Sequence, residues 1–227
     1  MSRSVIIAID GPAGAGKSTV GRAVAAQLGL GYLDTGAMYR GVTYAVLRRG
    51  VEPSDLDQVA AVVGDVEVWV GPEPDGESDV VIVDGEDVTA SIRGRQVTAT
   101  VSVVAANSAV RSELVKRQRA WAAEQGGGVV EGRDIGSVVF PDATLKLYVT
   151  ASPRVRAERR VAEIGGDLDE IESSIIERDR KDSSRANSPL TEAAGATVVD
   201  TTGMSIDEVV AHVIDMLPES TCGEVDV

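Results

Sequence analysis

Aromatic residues make up only 3% of this 227-residue chain, with one Phe, two Trp and four Tyr. A stacking platform for long single-stranded nucleic acid needs more rings than that, which excludes one class of binder. There is a single cysteine, Cys222, in a polar stretch near the end. A lone thiol builds no disulfide framework, so a reducing, cytoplasmic setting is expected. No apolar run approaches the roughly 20 residues of a membrane span, and no secretory leader pattern precedes the first strand. Positive charge is scarce too: 22 Lys and Arg stand against 36 Asp and Glu, for a net charge of -14. Such a chain repels nucleic acid and anionic membranes as general partners. Nothing in the pattern asks for a second copy, so a monomer is expected.

The charge is unevenly spread. Between Glu52 and Asp87 twelve acidic residues occur without one Lys or Arg. From Arg93 to Arg133 seven basic residues face only Glu113, Glu124 and Glu131. Further basic groups run through Arg154, Arg156, Arg159 and Arg160, and through Arg178, Arg180, Lys181 and Arg185. A single group of this kind reads as a solvated helix face. Three of them in an acidic chain suit a small polyanion.

A polyanion site is written out near the start. Gly11-Pro12-Ala13-Gly14-Ala15-Gly16-Lys17-Ser18 fits the phosphate-loop pattern G-x-x-x-x-G-K-[ST]. Ahead of it, Val5-Ile6-Ile7-Ala8-Ile9 reads as a buried parallel strand, and the stretch from Thr19 to Leu28 reads as a helix. Glycines let successive amides turn into one concavity at the positive end of that helix. Lys17 then reaches the outer phosphates of ATP, and the Ser18 hydroxyl is placed for Mg²⁺. The donor set is residues 11–18 with Thr19.

The remainder alternates strand and helix. Gly31-Tyr32-Leu33-Asp34 is a short strand, followed by a helix from about Thr35 to Arg49, and Ser54 caps a helix toward Val63 with Asp57 as its capping-box partner. Residues 64–95 switch to period two: Val66–Val70 and Val80–Val83 read as strands, and Asp84-Gly85 as a hairpin turn before Glu86-Asp87-Val88. Helical texture then runs from Arg93 to Glu124 with a break at Asn107-Ser108, and Gly126-Gly127-Gly128 ends it. Val129–Glu131, Leu145–Val149 and Ala196–Val199 are core strands, with Ser152-Pro153 opening one helix and Ser205 and Glu208 forming the capping box of the last. Trp69, Trp121, Met38 and Met204 read as packing groups, and His212 as a plain residue of the last helix. The expected fold is α/β: a doubly wound, five-stranded parallel sheet carrying the phosphate loop, with ligands at the C-terminal ends of its strands. Residues 1–217 are expected as one domain, with a β-rich insertion over 64–95, a short helical lid over 153–166, and a disordered tail over 218–227.

Asp200-Thr201-Thr202-Gly203 matches the D-x-x-G of nucleotide switches, yet it lies at the end of the last strand and no N-K-x-D motif accompanies it. A small-molecule kinase remains, and such an enzyme needs arginines for a second phosphate. Three segments carry a specific likeness: Asp34-Thr35-Gly36-Ala37-Met38-Tyr39-Arg40, the run GRDIGSVVFPDA from Gly132 to Ala143, and Glu177-Arg178-Asp179 with Asp182, Arg185, Pro189 and Leu190. In these segments, and in the β insertion before Ser91-Ile92-Arg93, the chain resembles the bacterial cytidylate kinases. The likeness runs from about Val5 to Leu217.

The resemblance implies transfer of the γ-phosphoryl of ATP to CMP or dCMP with Mg²⁺; UMP or AMP as acceptor, or a switch without an acceptor, are the alternatives. It implies that Arg40, Arg133 and Arg178 hold the acceptor phosphate, and that Lys17 acts with them on the transferring group. Ser102, Arg111 and Asp134 match positions on the cytosine edge, Asp182 and Arg185 positions near the ribose, and Thr35 and Tyr39 complete the CMP set. Arg156 and Arg160 resemble lid arginines over the donor phosphates. Asp34 has two readings, holding a Mg²⁺-bound water or capping the helix that follows it. Two departures from some relatives stand out: Ala13 replaces a serine that can touch the acceptor phosphate, and Ser18 replaces a glycine found in some members.

Overall fold

Strand β1 (Val5–Asp10) is the middle strand of a five-stranded parallel sheet in a computed structural model of the protein, which describes residues 4–72, 79–184 and 189–217. The other members are β2 (Tyr32–Asp34), β6 (Gly127–Glu131), β7 (Leu145–Thr150) and β8 (Thr197–Asp200), in the order β2-β6-β1-β7-β8. Helices lie on both sides of the sheet, the doubly wound arrangement expected from alternating strands and helices. Two compact units are present: one takes residues up to 32 and from 122, the other Leu33–Trp121.

In the first unit, Ile7 and Ile9 of β1, Leu147 and Val149 of β7 and Val199 of β8 form a buried core with Val20 and Val24 of helix α1 (Lys17–Leu28). Val209 and Val213 of the last helix, α8 (Ile206–Asp215), complete that core. The capping box expected there is present, since the Ser205 hydroxyl accepts from the Glu208 amide and Glu208 accepts from the Ser205 amide. Helix α6 (Pro153–Ile164) begins as the Ser152-Pro153 pair predicts, and α7 (Leu168–Ser183) follows it.

One boundary differs from expectation. Gly127 and Gly128, read as the end of a helix, are the first two residues of β6. The register sets Gly127 opposite Val5, and a Cβ on Gly127 would lie 2.4 Å from the Val5 carbonyl oxygen, at φ +128°. Only a residue without a side chain lets the two strands meet there.

The second unit contains α2 (Thr35–Arg48), α3 (Leu56–Asp65), an antiparallel sheet of β3 (Val68–Pro72), β4 (Asp79–Val83) and β5 (Glu86–Asp87), then α4 (Arg95–Val104) and all but the last turn of α5 (Ser108–Glu124). The hairpin expected at Asp84-Gly85 is there, with both residues at positive φ. Helix α2 packs close on the sheet at Gly41, where a Cβ would come within 2.8 Å of Val68. The helix break at Asn107 also holds: its side-chain oxygen accepts from the Ala109 and Val110 amides and starts α5. One expectation fails. Asp55, not Ser54, caps α3, because the Asp55 carboxylate takes the Gln58 amide while the Ser54 hydroxyl turns to Glu52. Trp69, expected to pack within the insertion, lays its ring over the bare backbone of Gly71 and stays 53% exposed.

Gly127→Ala is expected to lower the stability of the protein by about 3 kcal/mol, through combined steric and backbone strain. Urea unfolding measures this, and a loss below about 1 kcal/mol would show that β1 and β6 can separate without cost.

Candidate functional site

The phosphate loop leaves β1 at Gly11, which has φ +143° and passes so near β7 that a Cβ would lie 1.9 Å from the Val149 carbonyl oxygen. Gly14 and Gly16 also adopt positive φ, and Gly16 precedes the first residue of α1. Three carbonyl oxygens of the loop are taken by side chains. Lys17 Nζ donates to Pro12 at 2.9 Å, Arg156 Nη1 to Ala13 at 3.1 Å, and Thr201 Oγ1 to Ala15 at 3.1 Å. A trans peptide sets its N–H opposite its C=O, so each contact turns the amide of Ala13, Gly14 or Gly16 away from the anchoring side chain. Amides turned together in this way make an anion nest at the positive end of α1.

The anchors are themselves held. Arg156 is 3% exposed, donates from Nε to the Ala151 carbonyl and pairs with Asp179 at 2.7 Å. Thr201, also buried, accepts from Arg159 Nη1, while Arg159 Nη2 donates to its carbonyl at 2.8 Å. Arg160, expected beside Arg156, instead points to the surface and pairs with Glu163. The helix that carries all three thus turns Arg156 and Arg159, not Arg160, toward the loop.

Ser18 donates to Glu131 Oε1 at 2.8 Å, joining the first turn of α1 to the end of β6. A hydroxyl beside a buried carboxylate is a set of hard oxygens that suits Mg²⁺, an ion that takes one or two protein oxygens and fills the rest from phosphates and water. Asp34 serves as a helix cap, accepting from the Ala37 amide at 3.0 Å. Among the described residues, no group of three or more His, Cys, Asp or Glu side chains is placed to hold a metal by itself.

At the same sheet edge, the segment after β6 is tied to β1. The Gly132 amide donates to the Ile9 carbonyl at 2.9 Å, and the Asp10 carboxylate accepts from the Ile135 and Gly136 amides at 2.7 Å each. A short π-helical turn, Ile135–Val139, starts from these bonds. Arg133 is held by Asp182 of α7 at 3.1 Å, and Asp134 and Asp182 are both buried. Arg178, one turn before Asp182 on the same helix, is half-buried. Burial pushes the Asp10 carboxyl up to about 6 from its ordinary 3.8; the two amides and Lys17 act against this, and the Asp134 charge adds to it. An ionised Asp10 therefore costs the folded state on the order of 3 kcal/mol at neutral pH.

The second unit holds the other expected residues. Arg40 on α2 donates to the Ile92 carbonyl at 2.9 Å and to Thr98 Oγ1 at 3.0 Å. Arg111 on α5 is 6% exposed, lies 5.7 Å from the centre of the Tyr39 ring, and reaches the Ala105 carbonyl. Thr35 is buried at the start of α2, and Ser102 is half-buried on α4. Arg185 lies outside the described residues.

The phosphate loop at the end of β1, the strand order and the buried Arg156 behind the loop define a phosphate-loop α/β protein. A sequence profile described as cytidylate kinase matches residues 7–219, and the chain belongs to the cytidylate kinase family. A bifunctional pantoate ligase/cytidylate kinase of Synechococcus sp. (strain RCC307) is 49% identical over 225 residues, 96% of this chain but 44% of that protein. The chain thus spans under half the length of the fusion proteins it matches. A cytidylate kinase of Streptomyces avermitilis is 45% identical over 218 residues, 95% of this chain and 94% of its own length. Among solved structures, a shikimate kinase from Bacteroides thetaiotaomicron aligns over 93% of this chain and 97% of its own at 14% identity, with a TM-score of 0.48.

Asp10 makes stability depend on pH in a defined direction. Its folded pKa is raised, so its contribution is fullest below about pH 4 and is lost as pH rises through about 6. Between pH 7.5 and pH 5 the wild-type protein should gain about 1 kcal/mol over Asp10→Asn, read from urea midpoints of both. A pH-independent difference would contradict the buried, raised carboxyl.

Proposed function

We propose that this chain transfers the γ-phosphoryl group of ATP to CMP or dCMP, giving ADP and CDP or dCDP. The reading is supported by the family match over residues 7–219 and by the Streptomyces relative that is named a cytidylate kinase. The single observation that carries it is the joining of two segments at one sheet edge. The phosphate loop and the Gly132–Gly136 segment, with its arginine and buried carboxylate, are bonded to the same strand through Ile9 and Asp10.

The chemistry asks for what this arrangement offers. Phosphoryl transfer spreads charge over equatorial oxygens and requires the two reacting oxygens in line, so positioning and electrostatics carry the catalysis. The amides of the nest and Lys17, an ammonium with three N–H donors of which the Pro12 carbonyl takes one, take the donor phosphates. Arg156 acts from behind the loop through Ala13, and Arg159 through Thr201, so both are positioning residues in this reading. Mg²⁺ would be held by Ser18, with Glu131 behind it, and when bound it withdraws charge from the phosphates. No general base is needed, because a nucleotide phosphate is largely ionised at neutral pH.

On the acceptor side, Arg40, Arg133 and Arg178 hold the phosphate of CMP. Each guanidinium offers a planar fork that matches phosphate oxygens. Arg111, Asp134 and Ser102 read the cytosine edge, which presents both an acceptor and an exocyclic amine; Asp182 and Arg185 attend the ribose, with Thr35 and Tyr39 alongside. The Tyr39 ring beneath the Arg111 guanidinium fixes its plane.

Two measurements test this. Diphosphate formation from ATP with CMP, dCMP, UMP, AMP and GMP, each supplied alone, should be fastest with CMP or dCMP, and a clear preference for AMP or GMP would overturn the reading. Arg111→Ala should raise the KM for CMP roughly 10- to 100-fold, the worth of a hydrogen bond to a charged group, and leave the KM for ATP within about twofold. Equal loss on both substrates would remove Arg111 from the acceptor set.

A further inference from the structure

We propose that Asp10 is a positioning residue for the acceptor: its carboxylate, buried beneath the phosphate loop, grips the backbone that carries Arg133 and Asp134 and sets both side chains for CMP. The inference rests on the function proposed above and assigns a role to a residue that touches neither nucleotide.

The geometry points to backbone control. Asp10 ends β1, one residue before the loop, and is 2% exposed. Its two oxygens take the amides of two consecutive residues, Ile135 Nα at 2.7 Å and Gly136 Nα at 2.7 Å. Those bonds fix the peptide planes that follow Asp134 and Ile135. The plane before Gly132 is fixed by the Gly132 amide on the Ile9 carbonyl, and the Asp134 carbonyl is fixed by the Val138 and Val139 amides at 2.9 and 3.2 Å. The span that carries Arg133 and Asp134 is thus anchored to β1 before Gly132 and after Asp134, which limits where the two side chains can point. No other residue type does this as well. A carboxylate accepts two N–H bonds side by side, whereas a carboxamide accepts with one oxygen and turns N–H groups toward the other amide.

Ordinary packing would not select this residue. A buried carboxyl facing Asp134 as a like charge works against stability at neutral pH, because burial outweighs the two amides and Lys17 that favour its ionised form. A buried group that costs stability and yet organises the backbone of a site fits a functional constraint better than a core contact. The donor side depends on Asp10 less. The loop carbonyls are anchored by Lys17, Arg156 and Thr201, and of these three it is Lys17 that feels the Asp10 charge.

Asp10→Asn tests the proposal by a split between substrates. The KM for CMP should rise about tenfold or more, the KM for ATP should stay within about threefold, and the melting temperature at pH 8 should equal or exceed that of the wild type. Parallel losses on both substrates with a lowered melting temperature would mean a merely structural residue, and an unchanged KM for CMP would mean no role at all; either overturns the proposal. If Asp10→Asn fails to fold, Asp10→Ser, which removes the charge and keeps a hydroxyl acceptor, takes the same measurements. Hydrogen exchange on the wild-type protein needs no variant: the Ile135 and Gly136 amides should be protected in the free protein, and exchange at the rate of exposed loop amides would overturn the grip. Absence of CMP and dCMP turnover in the wild type would instead overturn the function on which the role rests, an outcome separate from any failure of the substrate split.

Discussion

A chain that binds phosphate through its backbone must turn amides inward, and it can do so only by fastening the carbonyls outside. In this protein that constraint is met by side chains distant in sequence. Arg156 and Thr201 come from beyond β7 and β8 to hold Ala13 and Ala15, and Lys17 folds back on Pro12. Gly11 lets the loop start by passing against the Val149 carbonyl, where any side chain would collide. The loop is thus shaped by the sheet around it, and α1 adds its positive end to a cradle already formed.

The same arrangement explains how an acidic chain of net charge -14 can gather arginines. Arg156 is paired with Asp179, and Arg133 with Asp182, both acids on α7. Arg156 is buried and Arg133 half-buried, and a guanidinium withdrawn from water is costly without such a partner. The pairs store positive charge in a low-dielectric setting and hold each fork in one plane. In the function proposed here, an arriving phosphate meets donors that are already ordered, which lowers the entropic cost of binding.

How much of this could be read from the sequence depended on distance along the chain. Features closed within a few residues were legible: the phosphate loop, the Asp84-Gly85 turn, the Ser205–Glu208 capping box, the helix break at Asn107. Local competition produced the errors. Asp55 displaced Ser54 as a cap because its carboxylate reaches the Gln58 amide, and Gly127 and Gly128 became strand because β1 needed to come close. The supports of the site were hidden for a different reason. Glu131 meets Ser18, Thr201 meets Ala15 and Asp10 meets Gly136 across separations of more than a hundred residues, which no local pattern encodes. A signal was present for two of them all the same. Glu131 is an acid that ends an apolar strand, and Thr201 sits in the D-x-x-G run that the switch comparison left without a use.

The central claim is that amides of the loop, turned inward by carbonyls held outside, are the donors to ATP. Backbone amide NMR of the ¹⁵N-labelled protein titrated with ATP tests it most directly. The Ala13, Gly14 and Gly16 resonances should move strongly downfield and saturate together at one equivalent, as charge-assisted hydrogen bonds form. Saturation by ATP with those three amides unmoved would contradict the account.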